Sequence, residues 1–145
     1  MAVSYKGLLE ELTRKHNIKA KHDAQLVELP ALIVEAVRSK LDVPGDSCYY
    51  GGINANGRFE KGAAKIADGR ISFAINVVFQ VDHVTHECPI KFSAFVDGNY
   101  YDVSMGGENL MLQYAPDVDQ EQLSDIVNAF AGLLRAQVDG LLQRK

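Results

Sequence analysis

The chain is predicted to be an α+β protein with a single domain spanning residues 1–145, and three observations predict it. Residues Ile71 to Val81 alternate apolar and polar, the period of a half-buried strand. Turn dipeptides are spaced so that successive segments fold onto one face. Helical periodicity occupies both ends of the chain. Together these predict two N-terminal helices, a five-stranded antiparallel meander and a long C-terminal helix packed on the inner sheet face.

Tyr5, Leu8, Leu9, Leu12 and His16 recur at helical spacing, so a first helix is expected from about Ser4 to His16, with Ser4 as N-cap. Arg14 to His22 carries four cations and two histidines and reads as a helix end followed by a solvated linker. An anion or nucleic-acid contact is the less favoured reading of that run, because it is short and lacks interleaved aromatics. A second helix is expected from Pro30, tolerated at a first helical position, to Leu41. Its stripe is Leu29, Leu32, Ile33, Ala36 and Val37.

The sheet is expected between Cys48 and Met105. A turn at Asn56-Gly57 would pair Ile53 with Glu60, and one at Asp68-Gly69 would pair Ile66 with Ile71 and Glu60 with Val77. Placing the next turn at Val84 to Glu87 sets Val81 opposite Ile90 and His83 opposite Cys88. Gly98-Asn99 then pairs Val96 with Tyr101 and Ala94 with Val103. Leu110 to Tyr114 reads as a short strand or a covered loop. Asp117 or Asp119 would cap a helix running to about Leu142.

Composition narrows the function classes. A formal charge of −4 and a pI near 5.5 argue against a general nucleic-acid binder, without excluding a local basic patch. No apolar run has the length of a membrane span, and Met1 to Lys15 lacks a signal-peptide core. Two cysteines and no glycosylation sequon favour a reduced compartment, and the chain is expected to be cytoplasmic. No cofactor motif is found: Gly51 to Gly57 lacks phosphate-loop spacing and is explained by its turn.

Four groups of residues carry candidate chemistry. Phe59, Val78 and Phe95 are expected to form an apolar patch on the outer sheet face, flanked by Tyr50 and Tyr100, with the composition of an interface. The alternative is that Leu110 to Tyr114 folds back over it. On the inner face, Gly51, Gly62 and Ala64 beside Glu60 either let a helix approach closely or leave a hollow for a ligand. His83, His86 and Cys88 are of zinc-binding types, but their spacing matches no strong signature, and Cys48 is expected on the outer face, far from them. The edges Tyr49 to Ala55 and Tyr100 to Met105 are open to strand addition. The leading expectation is a non-enzymatic protein-binding module, with another protein or itself as partner and a homodimer as the commonest form. The competing one is a carrier of a small apolar ligand.

Overall fold

The computed structural model describes residues 3–62, 64–98, 100–113 and 118–143. Asn99 of the expected Gly98-Asn99 turn, and Tyr114, Pro116 and Asp117, lie outside the described residues. The fold is α+β, with an antiparallel sheet of seven strands and a C-terminal helix.

One helix, α1 (Tyr5–Lys40), replaces the two expected. Ser4 caps it as expected, its Oγ accepting from the Gly7 amide at 3.0 Å. The segment read as a linker holds no glycine or proline, so nothing in its backbone stops the helix. Pro30 lies inside α1 rather than at its start. An interior proline removes one backbone hydrogen bond and costs about 3 kcal/mol. Burial of Leu26, Leu29, Ile33 and Val37, with Pro30 itself buried, offsets that cost.

A 3₁₀ turn (Gly45–Ser47) leads into β1 (Cys48–Ile53), β2 (Phe59–Lys61), β3 (Lys65–Ala67), β4 (Arg70–Val81), β5 (Val84–Asp97), β6 (Tyr100–Met105) and β7 (Glu108–Gln113). The order across the sheet is β2-β1-β4-β5-β6-β7, with β3 on β4. The Asp68-Gly69 turn pairs Ile66 with Ile71, and β6 sets Ala94 opposite Val103 and Val96 opposite Tyr101, both as expected.

Three expectations about the sheet are corrected. First, the following segment keeps its place beside β4 only up to Ser72, and from Ala74 to Val77 β1 lies there instead, pairing Cys48 with Val77 and Gly51 with Ala74. The segment after Asn56-Gly57 breaks at Gly62, whose φ of +155° few side chains adopt, and yields two short strands in place of one long one. Second, Ile53 faces Phe59 instead of Glu60, because Asn54 organises the turn: its Oδ1 accepts from the Asn56 and Arg58 amides. Third, β4 turns into β5 at Asp82-His83, both at positive φ, and Val81 faces Val84 rather than Ile90. That slide is six residues, an even number, so the apolar face is preserved while every cross-strand neighbour changes. The sheet edges are consequently β2, β3 and β7, and both strands expected at the edges are interior.

α2 (Gln120–Gln143) is capped by Asp119, whose Oδ1 accepts from the Glu121 and Gln122 amides. It packs with the C-terminal half of α1 on the inner sheet face. Phe73 stacks on Phe92 at 5.0 Å, and Phe92 on Phe130 at 6.0 Å. These rings, with Ile71, Ile75, Ile90 and Val103, fill the space where a ligand hollow was one expectation.

Candidate functional site

α1 is two structures in one element. From Leu26 to Val37 it is core; from Val3 to Lys21 every residue is exposed. On that exposed part Tyr5 (81%), Leu8 (53%), Leu9 (49%) and Leu12 (66%) share one helical stripe. Such a stripe is what a helix presents to a partner. The arm is also cationic. Lys6, Arg14, Lys15, Lys19 and Lys21 against Glu10 and Glu11 give it +3, and the formal −4 of the chain leaves −7 for the rest.

The direction of the arm follows from its contacts. Arg38 donates to the Cys48 carbonyl, the Gln25 carbonyl accepts from the Tyr101 hydroxyl, and Ile18, Lys19 and His22 line a small cleft with Gly69 and Val96. The helix therefore leaves the body at the Gly69 end of the sheet, away from the Asp82-His83 turn.

That opposite end carries a second exposed apolar set. Beyond Val77 and Cys88, β4 and β5 pair only with each other, and Phe79 (37%), Val81 (56%) and Val84 (52%) are exposed. By register all three lie on the inner face of the sheet. Asp82 stands beside them in the turn, whereas Glu87, opposite Val78, lies on the outer face.

The outer face holds a cleft of about 880 Å³. β1 leaves β4 after Gly51, and β3 takes over the same edge of β4 at Ser72. Gly52 to Ala55 and Glu60 to Gly62 line the cleft together with Ser72, Lys91, Ser93 and Ser104, so the β1–β2 hairpin bends over the outer face. Gly51 permits this: a Cβ there would stand 2.0 Å from the Glu60 carbonyl oxygen. The floor is a transverse row in which Lys65, Ser72, Ser93 and Ser104 face one another across four strands.

The residues singled out in the sequence are dispersed. Phe59 sits on β2, two strands from β4, with its ring tilted against that of Tyr49 at 5.5 Å. Val78 faces Glu87, whereas Phe95 faces Arg70, eight residues along the same strand pair, with the Arg70 guanidinium 4.9 Å from its ring centroid. Tyr50 lies on the inner side opposite Ile75, and only Tyr100 shares the outer face and neighbourhood of Phe95. The expected patch does not form, because the register that assembled it was displaced. β7 does not cover it either; it continues the sheet beside β6.

Gly51, Gly62, Ala64 and Glu60 likewise do not frame a hollow beneath α2. Gly51 accommodates strand β2, Ala64 packs at the margin of the core, and Glu60 accepts from the Asn54 amide at 2.9 Å. Gly62 and Glu60 line the outer cleft.

His83 is in the β4–β5 turn, and Cys88 faces Val77, so the two are not opposed. Cys48 is on the inner face, across Val77 from Cys88, contrary to expectation. Two strand spacings, about 10 Å, separate these cysteines, beyond the reach of a disulfide, and both are free. Burial pushes both thiols above their ordinary value; at Cys48 the Arg38 charge opposes the shift and Glu35 adds to it. Among the described residues no three His, Cys, Asp or Glu side chains are grouped to hold a metal ion.

The class defined is an α+β protein with a seven-stranded sheet, two helices on one face, and a projecting cationic arm. No helix among the described residues is long and apolar enough to cross a membrane. No known family, curated protein or solved structure matches the chain.

Proposed function

We propose that this chain is a non-enzymatic protein-binding module that first binds itself, each copy laying its α1 arm on the β4–β5 hairpin tip of the other. The observation that carries this reading is the complete exposure of Val3 to Lys21, including the stripe Tyr5, Leu8, Leu9 and Leu12. Charge selects the occupant: two arms at +3 repel, whereas the tip offers Phe79, Val81 and Val84 beside Asp82 on a body of −7. Distance makes the contact intermolecular. Gly69 and Asp82 are separated by roughly 40 Å of extended strand, and the arm, about 25 Å long, leaves from the Gly69 end. Reciprocal exchange closes a two-fold dimer.

The exposures of the four stripe residues amount to about two and a half fully exposed side chains, or roughly 4–7 kcal/mol per arm on burial. Two arms supply roughly 8–14 kcal/mol, the same size as an association cost of about 4–15 kcal/mol, and burial of Phe79, Val81 and Val84 on each tip adds to the favourable side. Light scattering on the full chain should give a dimer at about 50 µM and a monomer for Leu8→Glu/Leu12→Glu, since each introduced charge costs a kilocalorie or more at an apolar contact. A wild-type monomer at that concentration, or a variant that still dimerises, overturns the reading.

A further inference from the structure

We infer that the outer cleft, independently of the α1 arm, is a binding site for a small non-aromatic polyanion, of the class of polyol bisphosphates. The cleft is a built feature, since the β1–β2 hairpin walls it and Gly51 makes that fold possible. Its volume of about 880 Å³ lies in the range of ligand sites.

The charge in it opposes that of the chain. Lys61, Lys65 and Lys91 line it against one carboxylate, Glu60, which is already engaged by Asn54. No ion pair among the described residues involves these lysines; Lys61 rests over the Tyr49 ring at 5.0 Å. Unpaired ammonium groups in a concave site attract anions, and lysine binds phosphate as a point charge.

The floor specifies more than charge. Ser72, Ser93 and Ser104 present three hydroxyls in one row at the strand spacing; Ser93 Oγ accepts from the Arg70 guanidinium at 3.0 Å and keeps its proton to donate, and Ser104 Oγ donates to Asn109 Oδ1 at 3.1 Å and keeps a lone pair to accept, so the row can still meet a polyol. Lys65 and Lys91 are two strands and two residues apart on one diagonal, which puts their Cα atoms about 12 Å from each other. Two phosphates on a six-carbon frame suit that separation better than one. Phe73 and Phe92 contribute their backbone side only, since their rings stack in the core. The cleft therefore offers no ring on which a nucleobase could stack, and nucleotides are disfavoured.

The test is calorimetric titration of the full chain with fructose 1,6-bisphosphate, alongside fructose, inorganic phosphate and ATP. The bisphosphate is expected to bind at least about tenfold more tightly than inorganic phosphate, fructose not measurably, and ATP no better than its charge alone provides. Lys65→Glu and Lys91→Glu should each weaken the bisphosphate about tenfold or more. Both side chains are exposed, so thermal unfolding without ligand should stay unchanged and exclude misfolding as the cause. No heat with bisphosphate at about 10 mM, binding insensitive to both reversals, or equal affinity for inorganic phosphate would each overturn the assignment.

Discussion

Gly51→Ala tests the bend of the β1–β2 hairpin at its tightest point. An alanine Cβ there would stand 2.0 Å from the Glu60 oxygen and 2.9 Å from both the Glu60 carbonyl carbon and the Lys61 Cα. All three are backbone atoms, so no rotamer change relieves the overlap, and β2 must shift. The cost is capped by what β2 loses on release. That is a three-residue ladder and the tilted Tyr49–Phe59 ring contact at 5.5 Å, together about 1–3 kcal/mol. Gly52 supplies the control, because a Cβ there meets nothing within 4 Å. Gly52→Ala should be neutral or stabilising by up to about 1 kcal/mol, from the lower entropy of the unfolded chain. Urea unfolding followed by circular dichroism measures both. Equal stabilities for the two variants, within about 0.5 kcal/mol, would refute the close approach and with it the cleft wall.

Phe130→Ala should destabilise the protein by about 3–5 kcal/mol in the same assay, since the ring is fully buried against Phe92; a loss below about 1 kcal/mol would mean that α2 does not fill the inner face. The thiols give a pH dependence. Raised above 9.0 in the folded state, Cys48 and Cys88 keep protons that the unfolded chain releases, so stability is intact below 9.0 and falls as pH rises through the higher folded values. Cys48→Ala/Cys88→Ala should flatten that alkaline decline, and the native thiols should resist iodoacetamide at pH 8 while the denatured ones react. An unchanged slope, or rapid native alkylation, would contradict their burial.

Much of the fold could be read from local chemistry. Asp68-Gly69 determined its hairpin to the residue, and Ser4 and Asp119 cap the helices as their side chains suggest. What failed is what local chemistry leaves open. Alternation specifies faces but not an even-numbered slip, so the β4–β5 register moved by six residues with no loss of apolar matching. The Asp82-His83 turn contains no glycine, and its positive φ values carry no strong sequence signal. That slip parted Val78 from Phe95 and aligned Ser72 with Ser93, while β1, lying between β2 and β4, took Phe59 away from both. In the sequence Lys61, Lys65 and Lys91 are only scattered polar residues on an outward face. The arm is half legible: its stripe stands out at helical spacing, but Pro30 suits a first helical position equally well, and that conceals the length that carries the stripe away from the body.

The contact between arm and hairpin tip is tested most directly by disulfide trapping between two differently tagged copies, one carrying Leu12→Cys and the other Val84→Cys. The native cysteines are buried and do not compete. The account predicts that mild oxidation of the mixture gives a Leu12→Cys to Val84→Cys cross-link between the two tags. Cross-linking of Leu12→Cys only with itself, or no inter-copy product at about 50 µM, would contradict it.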